Sequence, residues 1–76
     1  MKITLKFLGL DSWERPVYRD ETGTLWKDVD PRREFAPDLC TSNGNLFDGE
    51  PDVPMSYVKK YKDAEIQFVP ERVVWD

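Results

Sequence analysis

The sequence predicts a small, mainly β domain, with α+β as the nearest alternative, and three stretches predict it. Lys2 to Leu8 alternates, with Ile3, Leu5 and Phe7 on one side and Lys2, Thr4 and Lys6 on the other, the period of a half-buried strand. Asp11 to Asp30 carries two short aromatic and β-branched runs, Pro16-Val17-Tyr18 and Thr24 to Val29, on either side of Asp20-Glu21-Thr22-Gly23. Turn formers with a glycine between two such runs spell a β-hairpin. Ala64 to Val69 alternates again, and Arg72-Val73-Val74-Trp75 is β-branched and aromatic.

The remaining elements follow in chain order. Gly9 is expected to end the first strand and Asp11-Ser12 to open a turn. Ser12 is placed to cap a single helical turn at Trp13-Glu14-Arg15, which Pro16 stops by holding Arg15 extended. Residues 31–54 contain Pro31, Pro37, Pro51 and Pro54. Proline gives a central strand no amide donor, so this segment reads as an irregular loop with at most a short edge strand at Asp38–Thr41. Asn43-Gly44 is a tight-turn signal that would set Leu39-Cys40-Thr41 against Leu46-Phe47. One short helix is expected near 55–62, capped by Ser56, with Tyr57 and Tyr61 one turn apart and Lys59, Lys60 and Lys62 at its C-terminal end, where the helix dipole favours cations. Pro70 breaks the last two runs into a strand pair. The expected architecture is a small antiparallel sheet of four to six short strands, rolled or partly closed into a barrel to protect its edges.

Seventy-six residues make a single domain, 1–76, with room for one core. Three Trp, three Tyr and four Phe supply it, and Trp26 and Trp75 are expected inside. A monomer or a homodimer that covers leftover apolar surface is compatible with so small a core. The net charge of −4, from 11 basic and 15 acidic residues, argues against a general polyanion binder. A single cysteine, Cys40, forms no intrachain disulfide and suits a reducing, cytoplasmic setting. It reads as a small apolar strand residue. No apolar run approaches the ~20 residues of a membrane helix, so no membrane partner is expected.

The sequence has no His, which removes nucleophile–His pairs and the side chain best suited to proton transfer near neutrality. Its four glycines are isolated, so there is no phosphate-binding glycine loop. Asp48, Glu50 and Asp52 are the one cluster with the chemistry to hold Mg²⁺ or Ca²⁺ or to act as acid and base. The calcium-loop spacing is missing, however, and the composition is that of an ordinary loop. No catalytic residue, metal site or cofactor is therefore expected. Lys59, Lys60 and Lys62 with Arg32-Arg33 read as solvated cations before they read as a basic patch. Trp13 stands in a turn beside Glu14, Arg15 and Pro16 and is the leading contact residue.

Phe7-Leu8-Gly9-Leu10-Asp11-Ser12-Trp13-Glu14-Arg15-Pro16-Val17-Tyr18, then Leu25 to Val29, Pro37-Asp38-Leu39 and Phe47-Asp48-Gly49-Glu50-Pro51-Asp52, resemble the type-28 large polyvalent protein-associated domain. That module is carried by conjugative elements and phages of gut bacteria. The likeness spans almost the whole chain, and Trp-x-Arg-Pro-Val-Tyr and Asp-Gly-Glu-Pro-Asp are its most specific parts. It implies a genetic context without catalytic residues. Trp13, Arg15, Tyr18, Asp48 and Glu50 become the candidate binding residues, with Arg15 expected to pair with Glu50 or Asp48 and pin the long loop to the hairpin. The resemblance points to a non-enzymatic interaction or accessory module of a mobile element that binds a protein partner. Two alternatives remain. One is a small barrel holding single-stranded nucleic acid through aromatics and Lys59, Lys60 and Lys62. The other is a metal-dependent enzyme at Asp48, Glu50 and Asp52.

Overall fold

The structure, a computed structural model, describes residues 2–42 and 51–75. Among them, β1 (Lys2–Leu10), β2 (Pro16–Arg19), β3 (Leu25–Asp28), β4 (Leu39–Ser42), β5 (Pro51–Pro54) and β6 (Glu65–Val69) form one sheet in the order β5-β4-β3-β2-β1-β6. The domain is mainly β, as its alternating runs predict. The sheet is mixed because β6 lies parallel to β1, while every other pair is antiparallel. It also stays open. Closure was the expected protection for strand edges, but the two end strands, β5 and β6, do not pair.

β1 runs two residues past its expected end. A bulge between Phe7 and Gly9 absorbs the irregularity and lets Leu10 pair with Pro16. The β2–β3 hairpin forms where the sequence places it, with Tyr18 opposite Trp26. Its loop needs a residue at positive φ, and Gly23 supplies it at 90°.

Residues 31–54 are more regular than their prolines suggest. β4 is an interior strand between β3 and β5, not an edge. Of its four prolines, Pro31 and Pro37 lie outside the strands, while Pro51 and Pro54 end the edge strand β5, where a missing amide costs least. The expected turn at Asn43-Gly44 and the arm Leu46-Phe47 lie outside the described residues. The described partner of β4 is β5.

No α-helix forms near 55–62. Met55–Tyr57 and Lys59–Tyr61 are separate 3₁₀ turns with Val58 extended between them, and Ser56 caps neither. The reason is distance. Residues 55–64 carry the chain from one end of the sheet to the other, across five interstrand spacings, or roughly 24 Å at ~4.8 Å each. Ten residues of α-helix would reach only about 15 Å. The longer rise of 3₁₀ turns, ~2.0 Å per residue, and extended geometry make up the difference.

This crossover covers one sheet face and makes the core. Ile3 and Leu5 from β1, Tyr18 from β2, Trp26 from β3 and Leu39 from β4 meet Met55 and Tyr61 from the crossover. Trp26 and Tyr61 pack edge to face, with ring centroids 5.2 Å apart. On the opposite face the register aligns Val17, Lys27 and Cys40, all buried. Burial raises the pKa of Cys40, with Asp38 and Asp28 adding to it. That is the inert small residue expected there.

The chain after β6 is not a strand. Residues 71–74 are irregular, and only a bridge between Arg32 and Trp75 is sheet-like. The tail is a strap. The Val73 amide donates to the Tyr18 hydroxyl at 3.1 Å, and Arg72 Nη2 donates to the Arg32 carbonyl at 3.1 Å. The Trp75 amide donates to the Pro31 carbonyl at 2.8 Å.

Candidate binding surface

The site begins with Asp11. Its Oδ1 accepts the amides of Trp13 and Arg15, both at 2.8 Å, and its Oδ2 accepts Arg15 Nε at 2.7 Å and Lys27 Nζ at 2.9 Å. Asp11, not Ser12, therefore organises the turn after β1, through the side-chain-to-backbone bonding that makes aspartate a turn former. Burial opposes its ionisation. The Arg15 amide, Lys27, the Arg15 guanidinium and the Trp13 amide outweigh that and hold its pKa below the ordinary value. Glu14 is carried at φ 62°, a left-handed geometry uncommon for a non-glycine residue. Rigidly fixed backbone of this kind is more frequent at functional sites than elsewhere.

This turn presents Trp13 to solvent at 70 % exposure. The Arg15 guanidinium lies 5.9 Å from the centre of its ring, within cation–π range. The strap adds Trp75, whose indole N–H donates to the Glu14 carbonyl at 2.8 Å while much of its ring stays exposed. Trp75 was expected in the core. It lies outside because the strap ends on the rim of the sheet, beside Pro31 and Glu14. A third exposed aromatic, Phe35, sits under the Arg32 guanidinium at 4.3 Å. Arg32 is held in that pose by a two-point pair with Asp30, at 2.7 and 2.8 Å. Trp13, Phe35 and Trp75 thus gather at one end of the sheet, with Arg15 and Arg32 over two of the rings.

Of the five expected binding residues, the described surface contains Trp13 and Arg15. Tyr18 is 0 % exposed, packed against Phe7 and Phe68, and its hydroxyl anchors the strap. It faces the core because it pairs with Phe7 on one side and Trp26 on the other, both of which point inward. It is a packing residue and not a surface contact. Asp48 and Glu50 lie outside the described residues, so the described carboxylate partner of Arg15 is Asp11. Asp52 is described and exposed on β5. Among the described residues no group of three or more His, Cys, Asp or Glu is arranged to hold a metal ion.

Two further aspartates support the scaffold: Asp20, expected only as a turn former of the hairpin loop, and Asp28, to which the sequence assigns no role. Asp20 caps the hairpin loop and accepts the buried Trp26 indole N–H at 3.0 Å. Asp28 Oδ1 accepts the amides of Asp30 and Asp38, at 3.2 and 3.1 Å. Burial raises the Asp28 pKa, against those two amides and Arg72, whose Nη2 stands 3.8 Å from Oδ2. Asp28 Oδ2 and Arg72 Nε are buried without a hydrogen-bond partner among the described residues. A signal existed for all three aspartates: each stands two residues before an amide it accepts, the spacing of an Asx turn.

Recesses also indent the surface of the described residues. One, of about 350 Å³, lies beneath the crossover, and its walls include the core residues Leu39, Met55, Tyr61 and Ile66. Another is a broad, shallow depression beside the hairpin loop, over Thr4, Lys6 and Arg19. Among the described residues no helix is long and apolar enough to cross a membrane. No family model, no curated protein and no solved structure matches the chain.

Proposed function

We propose that this chain is a non-enzymatic protein-interaction module whose contact surface is the end bearing Trp13, Phe35 and Trp75. The observation that carries this reading is the exposure of the Trp13 ring on a turn fixed by four bonds to the Asp11 carboxylate. A large rigid side chain held out in water adds contact area on binding with little loss of conformational entropy, and Trp and Arg dominate interface hot spots. The guanidiniums of Arg15 and Arg32 are already paired with Asp11 and Asp30. The surface is therefore amphipathic and not strongly cationic, which favours a protein partner over a phosphate backbone. The mobile-element setting is part of the proposal and rests on the sequence resemblance alone.

The test is affinity capture from the cells that carry the element, using the natural protein, Trp13→Ala and Tyr57→Ala. Tyr57 is 80 % exposed, on the crossover, and controls for a sticky aromatic. A partner retained by Tyr57→Ala and lost by Trp13→Ala supports the reading. Capture that is indifferent to Trp13, or a salt-dependent oligonucleotide complex in its place, would overturn it.

A further inference from the structure

We infer that two copies of this chain pair edge to edge through β6, joining their sheets across a two-fold axis at Gln67. The two ends of the sheet differ in kind. β5 is short and bounded by Pro51 and Pro54, which give no amide to a neighbouring strand. β6 has five residues, Glu65-Ile66-Gln67-Phe68-Val69, without a proline. It is bonded to β1 on one side only. Alternate backbone groups of a strand paired in parallel turn away from the partner, so β6 presents unsatisfied donors and acceptors outward.

The core is also unfinished at this end. Ile66 and Phe68 pack on the core cluster but remain only partly buried, and Val69 is 37 % exposed on the other face. Nothing described lies beyond them in the sheet.

A second copy fits this edge in register. Antiparallel self-pairing that uses all five residues must centre on Gln67. Ile66 then lies opposite Phe68 of the second copy, Glu65 opposite Val69, and Gln67 opposite itself. Directly opposed residues share a face, so both Ile66–Phe68 pairs fall on the core side and extend the two cores into one. No like charges meet. The two Gln67 side chains are matched as amide donor and acceptor. Five residues per strand bury less than the ~800 Å² per partner of a standard interface, so the association is weak and concentration-dependent. None of the residues on the Trp13 surface takes part.

Sedimentation velocity from micromolar to millimolar protein tests this, with chemical shifts or circular dichroism confirming the fold of each variant. The natural chain is expected to move from monomer to dimer mass across that range. Gln67→Lys sets two ammonium groups face to face at the axis and is expected to weaken dimerisation about tenfold or more. Gln67→Cys is expected to form an interchain disulfide under mild oxidation, because directly opposed Cβ atoms stand ~4.5–5.5 Å apart and a small inward shift brings them to the ~3.5–4.5 Å of a disulfide. A natural chain that stays monomeric throughout overturns the inference. So does a dimer that Gln67→Lys leaves equally tight, or one that Gln67→Cys does not cross-link.

Discussion

Replacing Asp20 with alanine removes the acceptor on which the β2–β3 hairpin and the largest core side chain both depend. Oδ1 accepts the amides of Thr22 and Thr24, each at 2.9 Å, and the Thr22 hydroxyl at 2.7 Å. Oδ2 accepts the Trp26 indole N–H at 3.0 Å and stands 3.5 Å from the Tyr61 hydroxyl. Trp26 is 1 % exposed, so its orphaned N–H cannot turn to water, at a cost of about 1–3 kcal/mol. The loop amides can rehydrate, and losing their bonds to a charged acceptor adds about 1 kcal/mol net. The expected loss is about 3 kcal/mol, from a total of roughly 4–11 kcal/mol for a chain of this length. That corresponds to a fall in Tm of about 12–24 °C. Asp20→Asn keeps one acceptor oxygen and should fall between.

The pH dependence has a definite sign. Burial alone would raise the Asp20 pKa, but the Trp26 indole, the Thr22 hydroxyl and the amides of Thr24 and Thr22 outweigh it and lower it. A carboxylate with a lowered folded pKa stabilises fully above its unfolded value, near 4, and loses that contribution as pH falls through the folded value. The gap between the natural chain and Asp20→Ala should therefore be constant from pH 7 to about 5 and close in stronger acid. Urea denaturation at several pH values, with amide exchange at Thr22 and Thr24, measures both quantities. A gap below ~1 kcal/mol, or one that widens on acidification, would refute the account.

Asp28 should behave in the opposite sense. Its pKa is raised by burial, so protonation favours the fold, and the natural chain should lose stability relative to Asp28→Asn as pH rises through that raised value; denaturation from pH 4 to 7 reads the trend. Trp13→Ala should leave stability within ~0.5 kcal/mol, whereas Trp26→Ala should cost about 3–5 kcal/mol, as thermal melts will show. Tyr18→Phe removes the hydroxyl that accepts the Val73 amide; a loss of about 1 kcal/mol and faster exchange of that amide are expected.

The candidate surface was legible only in part. Trp13 stands out because a turn beside Pro16 leaves no strand face on which to bury an indole. Phe35 and Trp75 do not: Trp75 is brought there by contacts with Glu14 and Arg32, distant in sequence, and Phe35 joins it only through Arg32. Tyr18 misleads for a related reason: it shares a motif with Trp13 and Arg15, yet strand alternation turns it inward. The Asp11, Asp20 and Asp28 carboxylates look like surface charge in a chain of mixed sign. What makes them structural is the amide two residues on and, for Asp11 and Asp20, a buried donor from β3, Lys27 or Trp26.

By itself the sequence determined what is local. Alternation at Ile3, Leu5 and Phe7 sets an inward face, Asp20 to Gly23 sets a hairpin loop, and the lack of His restricts the chemistry available. Only the tertiary structure decided which strands become neighbours, that β4 is interior, that β6 runs parallel to β1, and that residues 55–64 cross as 3₁₀ turns instead of a helix. The physical reason is range. A side chain's periodicity depends on its own few neighbours, whereas strand order and the span of a crossover depend on the dimensions of the whole sheet.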